Sequence, residues 1–173
     1  MKSRPTLTLI AAISKDGFIS QGQGVPWNLP RDKAHFRRVT AGQWLLLGRR
    51  TYEEMLGWFR DHHPLVLTRD PNFVPFVGKA VSSVGEALQV AGEQGARGLF
   101  ICGGSGAYAA AMPLADRLLL THVDLVLGGG VPFPDFQAGD WHQAGWEAFP
   151  ADVENPHAMV IAAYERLRDR VPA

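Results

Sequence analysis

The segment Pro26-Trp27-Asn28-Leu29-Pro30-Arg31-Asp32-Lys33-Ala34-His35-Phe36 carries the most pointed chemistry in the chain. On a helix, Asp32 and Phe36 stand four apart and share a face, with His35 flanking them. A carboxylate and an aromatic on one face could clamp a flat, nitrogen-rich ring. The carboxylate would pair with an amidine-like N–H edge while the aromatic packs on the ring. The same Asp32 would also serve as a helix-stabilising acid, because carboxylates in a first turn meet the positive end of the dipole. On these residues alone both readings stand.

Two further segments share a design: a buried strand, then glycine, then a helix N-terminus. They are Leu45-Leu46-Leu47-Gly48-Arg49-Arg50-Thr51 and Phe100-Ile101-Cys102-Gly103-Gly104-Ser105-Gly106. Free N–H groups at such junctions favour anions, and glycine lets a phosphate approach the backbone. In open parallel sheets ligands bind at the carboxyl ends of the strands. Arg49 and Arg50 add fixed positive charge suited to phosphate. Each glycine could be a plain turn residue and the arginines a solvated face, but two such junctions in one sheet point to a nucleotide.

One pattern competes. Gly104-Ser105-Gly106-Ala107-Tyr108-Ala109 fits the G-x-G-x-x-A dinucleotide fingerprint, with Asp124 twenty residues on. Taken literally it marks an NAD-preferring Rossmann unit. That unit would start past residue 95, leave no room for its second half, and have its helix cut at Pro113. Metal chemistry is not expected: the six His lack ligand spacing, and the lone Cys102 excludes a thiolate zinc site. His62-His63 reads as an exposed pair. Neither G-x-S-x-G nor a P-loop is present.

These residues need a frame to hold them. Thr6 to Ile13 reads as a buried strand ending at Ser14-Lys15-Asp16-Gly17, and residues 20–26 as an exposed, mobile, Gly-rich loop. Pro30 to Ala41 is a helix that Pro30 opens and Gly42 stops. Trp44 to Leu47 is a strand. A second helix opens at Thr51, where Thr51-Tyr52-Glu53-Glu54 has capping-box spacing. Leu65 to Thr68 and Lys79 to Ser82 are strands. Ser83-Val84-Gly85-Glu86 opens a third helix toward Gly92. Gly98 to Cys102 is a strand, followed by an Ala-rich fourth helix ended by Pro113, and Arg117 to Asp124 is another strand. Trp141–Phe149 and His157–Leu167 form an antiparallel pair. The expected fold is one α/β domain over residues 1–173: a mainly parallel, twisted sheet with helices on both faces and an antiparallel C-terminal edge.

Composition agrees. The 173 residues are 46% hydrophobic and 20% charged, which is globular, and suffice for one core. Lys+Arg and Asp+Glu both number 17, so no net field recruits nucleic acid or anionic lipid. The basic cluster Arg31, Lys33, Arg37, Arg38 then reads as a solvated face. A single cysteine rules out a disulfide framework. No apolar run is long enough to cross a bilayer, and Met1 to Pro5 lead straight into a strand without a signal pattern. A cytoplasmic, monomeric protein with small-molecule partners is expected.

From the Pro26 segment outward the chain resembles dihydrofolate reductase over nearly its whole length. The likeness is carried by Leu9-Ile10-Ala11-Ala12, Asp16-Gly17-Phe18-Ile19, Pro26-Trp27-Asn28-Leu29-Pro30 with Asp32, and Gly48-Arg49-Arg50-Thr51. It continues through Leu67-Thr68-Arg69, Gly103-Gly104-Ser105-Gly106-Ala107-Tyr108, Leu120-Thr121-His122 and Phe133-Pro134-Asp135. The resemblance implies reduction of 7,8-dihydrofolate by NADPH, with hydride passing to pterin C6 while N5 gains a proton through water. It implies that Asp32 pairs with the 2-amino group and N3 side of the ring, with Thr121 as companion and Trp27 holding a water near Asp32. Ile10, Ala11 and Phe36 would line the ring, and Ala12 and Ile19 the nicotinamide. Gly103, Gly104, Ser105, Gly106, Ala107 and Tyr108 would meet the pyrophosphate and nicotinamide side. Gly48, Arg49, Arg50 and Thr51, with Thr68 and Arg69, would meet the phosphates, including an adenosine 2′-phosphate. Residues 14–25 would close over the nicotinamide.

Departures from the family pattern set further expectations. Asp61-His62-His63-Pro64 stands where the family has an Arg for the substrate's glutamate tail, so the His pair would hold the tail, with Arg60 or Arg37 as substitutes. Lys33, Val25, Ser105 and Gly130 also depart from it; Gly130 replaces an Asp that steadies the loop. The open alternatives are a same-fold reductase of another pterin or of a riboflavin-pathway pyrimidine, and a nucleotide-binding module without turnover.

Overall fold

The computed structural model describes residues 3–22 and 24–167. In chain order its elements are β1 (Thr6–Ser14), β2 (Phe18–Ser20), α1 (Pro30–Thr40), β3 (Trp44–Gly48), α2 (Arg49–Glu54), β4 (His63–Leu67) and β5 (Lys79–Val81). Then follow α3 (Val84–Glu93), β6 (Gly98–Gly103), α4 (Ser105–Ala111), β7 (Arg117–Val123), β8 (Val131–Pro132), β9 (Trp141–Phe149) and β10 (Met159–Arg166). Eight strands form one sheet in the order β5-β4-β3-β6-β1-β7-β10-β9. All neighbours from β5 to β7 run parallel, and β10 runs antiparallel to both β7 and β9.

Burial on both faces explains the unbroken apolar runs. Leu45 and Leu47 of β3 point to one face, where they meet Tyr52 and Val66, with Trp58 and Phe59 packed alongside. Leu46 points to the other, among Leu7, Leu9, Leu99 and the Ala87, Ala107 and Ala111 faces of α3 and α4. The small Ala faces let α3 and α4 lie close on the strands.

Several boundaries differ from the sequence reading. Helix α2 begins at Arg49 with Gly48 as its N-cap and no side-chain cap, so Thr51 does not open it. Thr51 instead packs against Gly103 and Gly104. The third-helix cap holds: Ser83 Oγ accepts from Glu86 N at 3.0 Å. Glu86 answers to Ser82 N at 2.7 Å rather than to the cap residue, and these bonds draw its pKa down. Strand β4 starts at His63 and stops at Leu67, two residues earlier and one earlier than expected. Pro64 is tolerated there because β5 pairs only from Leu65 onward. A small second sheet, β2 with β8, had no counterpart in the sequence reading.

Candidate active site

The carboxyl ends of β1, β3, β6 and β7 gather at one edge of the sheet and open a cleft of about 1220 Å³. Helix α1 lays Asp32 along it, and β7 brings Thr121 opposite Ala12 of β1. Thr121 Oγ1 donates to Asp32 Oδ1 at 2.7 Å. Burial pushes the Asp32 carboxyl above its ordinary pKa, and the Thr121 hydroxyl and His35 imidazole pull the other way. Trp27 is 7% exposed, and its Nε1 is buried without a partner among the described residues. Phe36 meets Trp58 at 5.1 Å to form an aromatic wall. Tyr108 O–H donates to the Ile10 carbonyl at 2.7 Å and so ties α4 to the cleft end of β1.

The two glycine junctions touch. A Cβ on Gly48 would lie 3.3 Å from Gly104 N, and one on Gly104 would lie 3.2 Å from Thr51 Oγ1. Gly103, at φ +135°, would set a Cβ 3.0 Å from Thr51 Cγ2. Only glycine fits that conformation and spacing. The result is a bare backbone cradle. The helices behind it have only six and seven residues, so the dipole contributes less than the exposed backbone.

The segment after β1 is tied down at several points. The Asp16 carboxylate accepts from Leu127 N at 3.0 Å and Gly128 N at 2.7 Å. It also accepts from Ser14 Oγ at 2.7 Å. These bonds hold its pKa at about 2. Strand β2 pairs with β8, and Gly130 lies so close that a Cβ there would overlap the Ser20 carbonyl oxygen. A side chain at Gly130 is thus excluded. Further on, Arg50 Nη2 donates to the Gly22 carbonyl at 2.7 Å.

Every residue assigned above to ring or cofactor lines this one cleft. The arginines are not equivalent, however. Arg49 bonds Glu53 at 3.0 Å and Asp70 at 3.4 Å and covers the Phe73 ring. Arg50 is turned to Gly22 and Glu54. Arg69 makes no ion pair among the described residues and lies exposed at the cleft. Five basic side chains (Lys33, Arg37, Arg49, Arg50, Arg69) line the cleft against the carboxylates of Asp32 and Glu54. A chain of zero net charge therefore carries a locally cationic site.

The expected exposed His pair holds for His63 and fails for His62. The His62 side chain is 5% exposed, not solvated. It stacks under Trp58 at 4.7 Å, and its Nδ1 accepts from Arg60 N at 3.1 Å. An accepting Nδ1 and a burial-lowered pKa leave the ring neutral, so the contact of Nδ1 with Asp61 at 3.9 Å is no ion pair. Neither His62 nor His63 lines the cleft; Arg37 does, its guanidinium 5.3 Å over the Trp58 ring. The structure agrees with the argument against a Rossmann unit: Asp124 is exposed and paired with Lys15 at 3.1 Å, and it is not part of the cleft lining. The sequence reading also missed Ser82 to Gly85, a third strand-to-helix junction at the cleft. Its capping motif was the available signal.

Residues 6–166 match the family model for dihydrofolate reductase. The chain is similar to dihydrofolate reductase type 3 of Salmonella typhimurium, at 33% identity over 162 residues, covering 94% of this chain and 99% of that protein. It is 29% identical to the dihydrofolate reductase of Bacillus subtilis, over 92% of this chain and 94% of that one. Among solved structures it resembles a dihydrofolate reductase from Enterococcus faecalis complexed with NADP(H) and RAB-propyl. That match has a TM-score of 0.84 and 28% identity, and covers 94% of this chain and 97% of the other. Among the described residues no helix is long and apolar enough to cross a membrane. A family match running from β1 through β10 takes in both the Asp32–Thr121 pair and the glycine cradle, and on that ground the chain belongs to the dihydrofolate reductase family.

Proposed function

We propose that this chain reduces 7,8-dihydrofolate to tetrahydrofolate with NADPH. The observation that carries the reading is the hydrogen bond between half-buried Asp32 and buried Thr121, at the floor of a cleft walled by Phe36 and Ile10. A carboxylate and a hydroxyl side by side match a donor edge of two N–H groups on a flat ring. The cleft also fits a phosphorylated dinucleotide. Bare backbone at Gly103 and Gly104 leaves space where a Cβ would meet Thr51, and Arg69 is uncommitted for a 2′-phosphate.

Asp32 and Thr121 bind and orient the ring, and Phe36 and Ile10 pack on its faces. Ile19 and Ser20, held by the Asp16 and β8 contacts, cover the cleft and exclude water, which sets the transfer geometry. Ala12, Ile19 and Gly103 to Tyr108 would hold the nicotinamide end, and Arg69, Thr68, Arg49, Arg50 and Thr51 the phosphates. The cofactor, when bound, supplies the hydride that C6 of the substrate receives. The orphaned Trp27 Nε1–H fits a water beside Asp32, and N5 takes its proton through water. The ionised Asp32 favours the positive charge that develops on the ring. Arg37, over Trp58 at the mouth, meets the glutamate tail. All of these groups come from one chain, which fits a monomer acting on small molecules in the cytoplasm.

The test is NADPH oxidation measured with dihydrofolate, with a tail-free dihydropterin and with no substrate. Turnover only with dihydrofolate supports the reading. Faster turnover of the tail-free compound would assign the cleft to another pterin.

A further inference from the structure

His35 lies one turn after Asp32 on α1 and lines the same cleft, with 8% of its surface exposed. Its Nδ1 is 3.4 Å from Arg38 Nη2. A guanidinium only donates, so Nδ1 accepts and the neutral ring carries its proton on Nε2. Burial lowers the imidazole pKa, and the charges acting on it are Asp32 and Arg38, both on α1. Yet Nε2 is fully enclosed and has no partner among the described residues. A buried N–H without an acceptor is rare, because its lost hydration is not replaced. Nearby stands a group with acceptor capacity to spare. Asp32 Oδ1 takes the Thr121 hydroxyl, and Oδ2 has no hydrogen bond among the described residues. Facing Asp32 from other elements are neutral hydroxyls, Thr121 of β7 and Tyr108 of α4.

We propose that His35 is a positioning residue for Asp32: its Nε2–H donates to a water held between imidazole and carboxylate, fixing the carboxylate's orientation and keeping it ionised. Such a water would be an enclosed one with polar partners on two sides, the imidazole N–H and the carboxylate, which is the setting in which buried waters occur. The assignment rests on the dihydrofolate-reductase reading of the cleft. It adds a group that the pairing of Asp32 with Thr121 does not require. It also explains why a polar ring occupies a position where an apolar one would fill the space without an orphaned donor.

The test compares the parent with His35→Gln, which keeps an N–H, and His35→Leu, which keeps bulk alone. Each is also made in the Asp32→Asn background. Single-turnover hydride transfer from NADPH to dihydrofolate is followed from pH 4.5 to 9, with NADPH affinity and the 15N resonances of the ring. An Nε2-protonated tautomer is expected. His35→Leu should slow hydride transfer about five- to tenfold, the worth of one such hydrogen bond, and move the acid limb to higher pH. His35→Gln should recover most of both, NADPH affinity should hold, and Leu should add nothing once Asp32 is Asn. An Nδ1-protonated ring, an unmoved pH profile, or an equal Leu effect without the carboxylate would each overturn the proposal. Should the Leu variant not fold, the ring tautomer and the Gln pair decide. A parent without turnover of dihydrofolate would instead overturn the functional reading, and the ring resonances, shifting or not on Asp32→Asn, would still decide the role of His35.

Discussion

Asp32→Asn should damage catalysis and improve stability at once. Asn is nearly isosteric, and its Oδ1 still accepts from Thr121 Oγ1, a bond of 2.7 Å in the parent. What is removed is the charge. A preorganised charge facing a developing one is worth about 3–4 kcal/mol, so hydride transfer should fall roughly 10²- to 10³-fold while NADPH affinity stays put. The same charge is a burden to the fold, since burial pushes the carboxyl pKa up. For an acid with a raised folded-state pKa, stability is highest below the unfolded value and falls as pH rises through the folded one. The Asn variant should therefore melt higher at pH 7–8, by about 2–4 °C for each kcal/mol recovered in a domain of this size. The gain should vanish near pH 3.5. Stopped-flow hydride transfer and melting at both pH values provide the assay. Transfer within threefold of the parent, or a lower melting point at pH 7, would reduce Asp32 to a helix-stabilising acid.

Much of this site was legible in the chain because its parts are local. Pro30 opens α1 and Asp32 and Phe36 follow at helical spacing, so the face that meets the ring is written within seven residues. The glycine junctions were legible for the same reason: strand, glycine and helix are neighbours in sequence. That the junctions touch was not, because β3 and β6 are paired by the sheet and lie some fifty residues apart. Thr51 shows the cost. Its spacing to Glu54 has the form of a cap, yet the tertiary contact with Gly103 and Gly104 claims its side chain. His62 was misjudged on the same ground. An adjacent His pair before a strand looks solvated, but Trp58 from the preceding turn folds over one of the two rings. The β2–β8 ribbon is only three and two residues long and separated by 110 positions, too short for any periodicity. What a single sequence cannot rank is which arginine remains uncommitted: Arg49, Arg50 and Arg69 look alike until Glu53, Asp70 and Gly22 are placed.

Arg69→Ala should weaken NADPH binding about tenfold or more and leave NADH nearly unchanged, the worth of one charge-assisted contact to a 2′-phosphate; equal loss for both cofactors in titrations would refute that role. Gly130→Ala should lower the melting point and slow hydride transfer, because its Cβ would overlap the Ser20 carbonyl oxygen at φ +133°; an unchanged melting point would refute the close approach. The Asp152 carboxylate accepts from Asn155 N at 2.7 Å and pairs with Arg31 at 2.9 Å, which holds its pKa at about 2, like that of Asp16; both stabilise the fold only while ionised. Their contribution is complete above the unfolded value near 3.8 and is lost as pH falls toward 2, so urea midpoints should drop steeply in that window, and less so in Asp16→Asn. The substrate tail gives the last test. Arg37 sits at the cleft mouth over Trp58, whereas His62 is neutral and enclosed beneath that ring. Arg37→Ala should raise KM for dihydrofolate about five- to 30-fold, one partly exposed charged contact, and leave a tail-free dihydropterin alone. His62→Arg should lower the melting point and leave KM unimproved, because the space around the imidazole offers Thr40 Oγ1 and no carboxylate closer than Asp61 at 3.9 Å, with Arg37 above as a like charge. If that variant instead binds dihydrofolate better and stays folded, the histidine position reaches the tail after all, and the assignment to Arg37 is wrong.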